Sequence, residues 1–116
     1  MIFVTGPMYS GKEKCICELL NITHDRFSEI GVRDAERLVA SGDSSVEALA
    51  DELNNNEIVI SSEIGCGVIS TDPDQNLYRE RAGRLAQELS KRAEVVVRVV
   101  CGLPQILKGD LSKYHA

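Results

Sequence analysis

Apolar residues crowd the start of the chain, from Met1 to Val4, and stop at Gly6, which predicts a buried strand over residues 2–5 running into a loop. From Lys12 the period changes. Ile16, Leu19 and Leu20 share one side of a helix predicted over residues 12–21. Residues 22–31 mix Thr23, His24 and Asp25 with Phe27 and Ile30 at no clean period, and read as a loop with at most a helical turn. Val32, Ala35, Leu38 and Val39 then fall at three-to-four spacing, predicting a short amphipathic helix over residues 32–40 that ends near Gly42. Ser44 followed by Glu47 is a capping-box pattern for the next helix, whose stripe is Val46, Leu49, Ala50 and Leu53.

A different pattern occupies residues 57–62, where Ile58, Val59 and Ile60 are contiguous, as in a strand of a parallel sheet covered on both faces. Asp72 and Pro73 suit the N-cap and first position of the longest helix, residues 73–92, with Leu77, Ala82, Leu85, Ala86 and Leu89 facing inward. Gly83 within that helix costs about 1 kcal/mol relative to Ala, so close packing against a neighbour is the expected compensation. Residues 94–101 form the last strand. The order is α/β, a three-layer arrangement around a small, mainly parallel sheet of three main strands joined by right-handed crossovers. Two open sheet edges lead to an expectation of self-association as a homo-oligomer.

Composition bounds what such a chain does. At 116 residues, 43% hydrophobic and 27% charged, it has material for one domain spanning residues 1–116. Thirteen Lys and Arg against eighteen Asp and Glu give a net charge of -5, which disfavours general attraction to nucleic acid or anionic membranes. No apolar run approaches a transmembrane length and no basic leader precedes the first strand, so a cytoplasmic location is expected. Cys15, Cys17, Cys66 and Cys101 have irregular spacing, and the two histidines are His24 and His115. That argues against zinc and for small buried thiols.

The candidate chemistry begins at MIFVTGPMYSGK, an apolar strand running into GxxxxGK, the spacing that cradles phosphates with backbone N–H groups. Gly6, Ser10, Gly11 and Lys12 are its candidate nucleotide-binding residues, with the Lys12 ammonium placed for the β and γ phosphates. The next position, where Ser or Thr would ligate magnesium, holds Glu13. A carboxylate 4 Å from a phosphate charge costs about 4 kcal/mol at an effective dielectric near 20, unless a cation lies between them. Glu13 either repels the phosphates or itself ligates the metal. Glu63, just past the 57–62 strand, is a second candidate for magnesium or for orienting a hydroxyl, a polar turn residue being the plainer alternative. Arg79 and Arg84 lie about 140° apart around their helix, so either alone is a candidate phosphate ligand, against surface pairing with Glu80 and Glu88. His24, beside Asp25 and Arg26, reads as a surface or capping residue, the alternative being a covalent nucleotide acceptor.

From Ser61 onward the chain resembles the carboxyl half of the cobinamide kinase/cobinamide-phosphate guanylyltransferase family. The matching pieces are Val4-Thr5-Gly6, Ser10-Gly11-Lys12, Glu63-Ile64-Gly65-Cys66-Gly67, Ala82-Gly83-Arg84-Leu85 with Gln87, and Gly102-Leu103-Pro104. The resemblance implies a P-loop protein of cobalamin biosynthesis that uses ATP or GTP with Mg2+, phosphorylates a cobinamide side chain and then attaches GMP, as a homo-oligomer. Pro7, Glu13, Ser62 and Ala86 depart from the family pattern, and the family's long central section is largely absent. Two functional readings follow: a shortened kinase or nucleotidyltransferase with Lys12 and Glu63 catalytic and Glu13 or Glu63 on the metal, and a non-catalytic relative that binds a nucleotide or corrinoid or serves assembly.

Overall fold

The contiguous apolar runs become the centre of a sheet because only a strand covered on both faces buries successive side chains. The computed structural model describes residues 1–41, 45–64 and 71–114. Five strands stand in the order β2-β3-β1-β4-β5, with β1 at Ile2–Gly6, β2 at Gly31–Val32, β3 at Ile58–Ser62, β4 at Val95–Val100 and β5 at Leu103–Lys108. β1 is parallel to both β3 and β4, β2 is parallel to β3, and β5 returns antiparallel along β4. One face packs Ile2, Val4, Ile60 and Val97 against α1 (Lys12–Leu20) and α2 (His24–Ile30). The other packs Phe3, Val59 and Val96 against α3 (Val46–Leu53) and α4 (Pro73–Arg92). The α/β, three-layer, mainly parallel arrangement is as expected.

Several expectations are corrected. The sheet has five strands rather than three. β5 escaped notice because Pro104 weakens its strand signal and all six of its residues are exposed, leaving no buried alternation to read. Its turn, Cys101 and Gly102, has positive φ at both residues, the requirement of a tight hairpin, supplied without the usual Asn-Gly. Cys101 is therefore exposed, whereas Cys15 and Cys17 are buried thiols as expected; Cys66 lies outside the described residues. Within residues 22–31 the stretch His24–Ile30 is a helix, α2, longer than the single turn expected: the Thr23 hydroxyl accepts from the Arg26 N–H at 3.0 Å, and Phe27 is fully buried. A single anchor gives no period.

The expected helix over residues 32–40 divides into β2 and a 3-10 helix, Ala35–Ser41. Asp34, at φ 53°, makes the break, which buries Ala35 and Val39 and leaves Leu38 exposed. α3 is capped by Ser45, whose hydroxyl accepts from the Ala48 N–H at 3.0 Å; Ser44 and Gly42 lie outside the described residues. In α4, Ala82, Leu85 and Leu89 are buried, but Leu77 is exposed because the first two turns carry no buried residue.

Gly83 is corrected as well. A Cβ there would meet nothing within 4 Å, so no close approach compensates its entropy. Gly83→Ala is expected to stabilise the fold by about 0.5–1 kcal/mol, checked by the urea unfolding midpoint.

Candidate functional site

The loop between β1 and α1 is shaped by glycine at both ends. Gly6 has φ 149°, and a Cβ there would stand 2.2 Å from the Val99 carbonyl oxygen on β4. Gly11, at φ 82°, is the N-cap of α1, which begins at Lys12. The Ser10 carbonyl accepts from the Gly102 N–H at 2.8 Å, fastening the loop to the β4–β5 turn. Strand, glycine-bounded loop and helix start thus occur in the order that turns backbone N–H groups and the positive helix end toward an anion.

Lys12 is only 8% exposed, and its ammonium donates to the Pro7 carbonyl at 2.8 Å. Burial lowers its pKa, opposed by the charges of Glu36, Asp34 and Glu63. Beside it opens a cleft of about 250 Å³, walled by Gly11, Lys12, Glu13, Arg33, Asp34 and Arg37 among others. Three cations and two carboxylates therefore share one concavity.

Glu13 does not stand bare in it. Its Oε1 accepts from the Arg33 Nε, and its Oε2 accepts from the Arg33 Nη2 at 3.1 Å and meets the His24 Nδ1 at 2.5 Å. The Arg33 guanidinium also lies 4.8 Å from the centre of the Phe27 ring, so the helix that the sequence concealed positions this arginine. Hydrogen bonding from Arg33 holds the Glu13 carboxyl below its ordinary value, with His24 adding to the effect against burial. A carboxyl depressed by folding contributes stability above its unfolded value and loses that contribution as the pH falls through the folded one. Urea midpoints of wild type should therefore decline as the pH is taken below 4.5, and Glu13→Gln should flatten that decline; parallel acid limbs would show the pair contributes nothing.

Glu63 is likewise engaged. Its carboxylate accepts from the Arg98 Nε at 2.6 Å and Nη2 at 3.0 Å, which, with the Lys12 charge, depresses its pKa. It faces the α4 side of the sheet, whereas Ser62 lines the cleft. Both carboxylates expected to hold magnesium thus have both oxygens taken by an arginine, Arg33 on Glu13 and Arg98 on Glu63. That donor set does not fit a divalent cation, and no group of three or more His, Cys, Asp or Glu able to hold a metal occurs among the described residues. Arg84 pairs with Glu47 of α3 at 3.0 Å rather than with Glu80 or Glu88, and neither it nor Arg79 lines the cleft. His24 is a surface residue, as expected, in the first turn of α2.

Arg33, Asp34, Glu36 and Arg37 are what the sequence did not announce. All follow β2, a strand of two residues too short to leave a pattern, yet its position at the β3 edge carries them toward the Gly6–Lys12 loop. The family model described as cobinamide kinase/cobinamide phosphate guanyltransferase matches residues 25–107, well over half of the chain. The chain belongs to this family. The matched span of the cobinamide kinase/guanyltransferase family includes those four residues, β3, α4 and the hairpin, while the GxxxxGK loop precedes it. No curated protein matches the chain. Both activities in the family's name use nucleotides, so its chemistry and the loop's geometry point the same way. Among the described residues no helix is long and apolar enough to cross a membrane.

Proposed function

We propose that this family member is a cytoplasmic, nucleotide-dependent kinase of cobalamin biosynthesis, holding ATP or GTP by its phosphates and passing a phosphoryl group to a cobinamide hydroxyl. One observation carries the reading: Lys12 opens α1 beside Arg33 and Arg37 in a single cleft at the end of β1. In phosphoryl transfer the protein's work is positioning and charge stabilisation, and these three cations suit both. Arg33 also answers the difficulty raised by Glu13. A guanidinium paired with the carboxylate offsets the repulsion that a bare carboxylate would impose on phosphates. The position of the missing Ser/Thr hydroxyl is thereby turned into an anchor for an arginine. The proposal is confined to phosphoryl transfer, since His24, the histidine of the described residues, does not line the cleft.

The paired state of Glu13 and Glu63 favours a second reading, a non-catalytic relative that binds a nucleotide or corrinoid, or serves assembly. Titration with ATP and GTP, with and without magnesium, followed by an assay for phosphate transfer to cobinamide, separates the two. Saturable binding with transfer supports the kinase. Binding without transfer supports the second reading, and no binding at millimolar nucleotide overturns both nucleotide readings. A homo-oligomer belongs to either. Leu103, Ile106 and Leu107 of edge strand β5 are 71%, 45% and 54% exposed, more apolar surface than an edge strand facing water ordinarily carries.

A further inference from the structure

Adjoining the cleft is a smaller cavity of about 70 Å³ that shares Met8, Asp34, Arg37 and Ser62 with it and adds Glu36, Ile64 and Tyr78. Glu36 is 4% exposed. Its Oε1 accepts from the Ser62 N–H at 2.7 Å, which fixes the carboxylate against the end of β3. Its Oε2 is buried with no hydrogen-bond partner. A buried carboxylate oxygen left without a donor is costly, and native proteins seldom retain one without a functional reason. The groups around it are Lys12 from α1, Asp34 and Arg37 from its own segment, and Tyr78 from α4. Burial followed by the charge of Glu36 raises the Tyr78 phenol's pKa, and Glu36 is the foremost charge opposing the burial of Lys12. Glu36 therefore acts on Lys12 through its charge and also lines the small chamber.

We propose that Glu36 is a catalytic residue on the acceptor side: its Oε2 takes the hydroxyl of an aliphatic alcohol presented in the small cavity, next to the terminal phosphate held by Lys12. The inference rests on the kinase reading and names the group that handles the acceptor. In the step, the alcohol oxygen bonds to the terminal phosphorus of a nucleoside triphosphate. The bond from that phosphorus to the bridging oxygen breaks, the nucleoside diphosphate leaves, and the alcohol proton passes to Glu36. A cavity of this size admits the hydroxyl-bearing end of an acceptor and not a bulky ring, which leaves the rest of a large acceptor outside.

The test is Glu36→Gln, which keeps the Oε1 acceptor for the Ser62 N–H but gives up the proton-accepting carboxylate. With cobinamide as acceptor, kcat should fall by ~10²–10⁴-fold, the range for a positioned general base, while nucleotide affinity stays within about twofold. Glu36→Asp, which keeps a carboxylate in a withdrawn position, should recover part of the rate, and guards against a Gln variant that fails to fold. Unchanged kcat in Glu36→Gln with nucleotide bound and phosphate transferred overturns the role of Glu36 alone. Loss of nucleotide affinity in parallel with kcat also overturns it, since that marks a structural part. Absence of transfer by wild type sinks the kinase reading itself, and this assignment with it.

Discussion

Gly6→Ala is expected to lower the thermal unfolding midpoint by about 10 °C or more and to remove nucleotide binding. The added Cβ would lie 2.2 Å from the Val99 carbonyl oxygen and 3.1 Å from the Ser10 Oγ, at a φ of 149° that side-chain-bearing residues rarely adopt. Backbone strain of this kind costs ~1–3 kcal/mol and overpacking against a rigid neighbour a similar amount. Their sum, about 2–6 kcal/mol with its middle near 4, sets the size of the shift for a domain of this length. The obstacle is strand backbone at the centre of the sheet, so relief would require moving β4 relative to β1. A variant melting within a few degrees of wild type would mean that this contact yields easily. Gly83→Ala provides the opposite sign in the same protein, because there the methyl meets open space.

Lys12→Ala is expected to weaken binding of ATP or GTP by roughly 10–150-fold, the ~1.5–3 kcal/mol of a hydrogen bond to a charged partner, and to abolish transfer. The ammonium is held over the loop by the Pro7 carbonyl, so a phosphate arriving in the cleft exchanges one acceptor for another without recruiting a distant side chain. Lys12→Arg should not restore the wild-type affinity, because the lysine is 8% exposed and a planar guanidinium differs in shape from the compact ammonium it would replace. Isothermal titration of both variants, alongside urea midpoints to confirm folding, provides the check. Equal affinity in wild type and Lys12→Ala would remove the loop from the binding site.

The parts of this structure legible in the sequence are those with a period or a covalent constraint. The triple-apolar runs of β1, β3 and β4, the Asp72-Pro73 start of α4 and the glycine spacing of the loop each had one physical solution. What escaped reading depends on tertiary partners. α2 hangs on Thr23 and Phe27, β2 consists of two residues beside β3, and β5 is exposed throughout. The candidate site was half visible for the same reason. Lys12 announced itself through its loop, whereas Arg33 and Glu36 reach the site through short elements whose placement the sheet decides. Glu13 and Glu63 looked like metal ligands because their arginine partners, Arg33 and Arg98, lie 20 and 35 residues away along the chain.

The Gly6–Lys12 loop is continuous in sequence but not self-sufficient. The Gly6 carbonyl accepts from the Glu63 N–H, the Val99 carbonyl limits the space at Gly6, and the Ser10 carbonyl accepts from the Gly102 N–H. Its shape is therefore set by chain that is synthesised well after it. A ribosome-bound intermediate carrying only the first half of the sequence has every residue of the motif and no cradle. Nucleotide affinity should appear during translation only once the β4–β5 hairpin has docked.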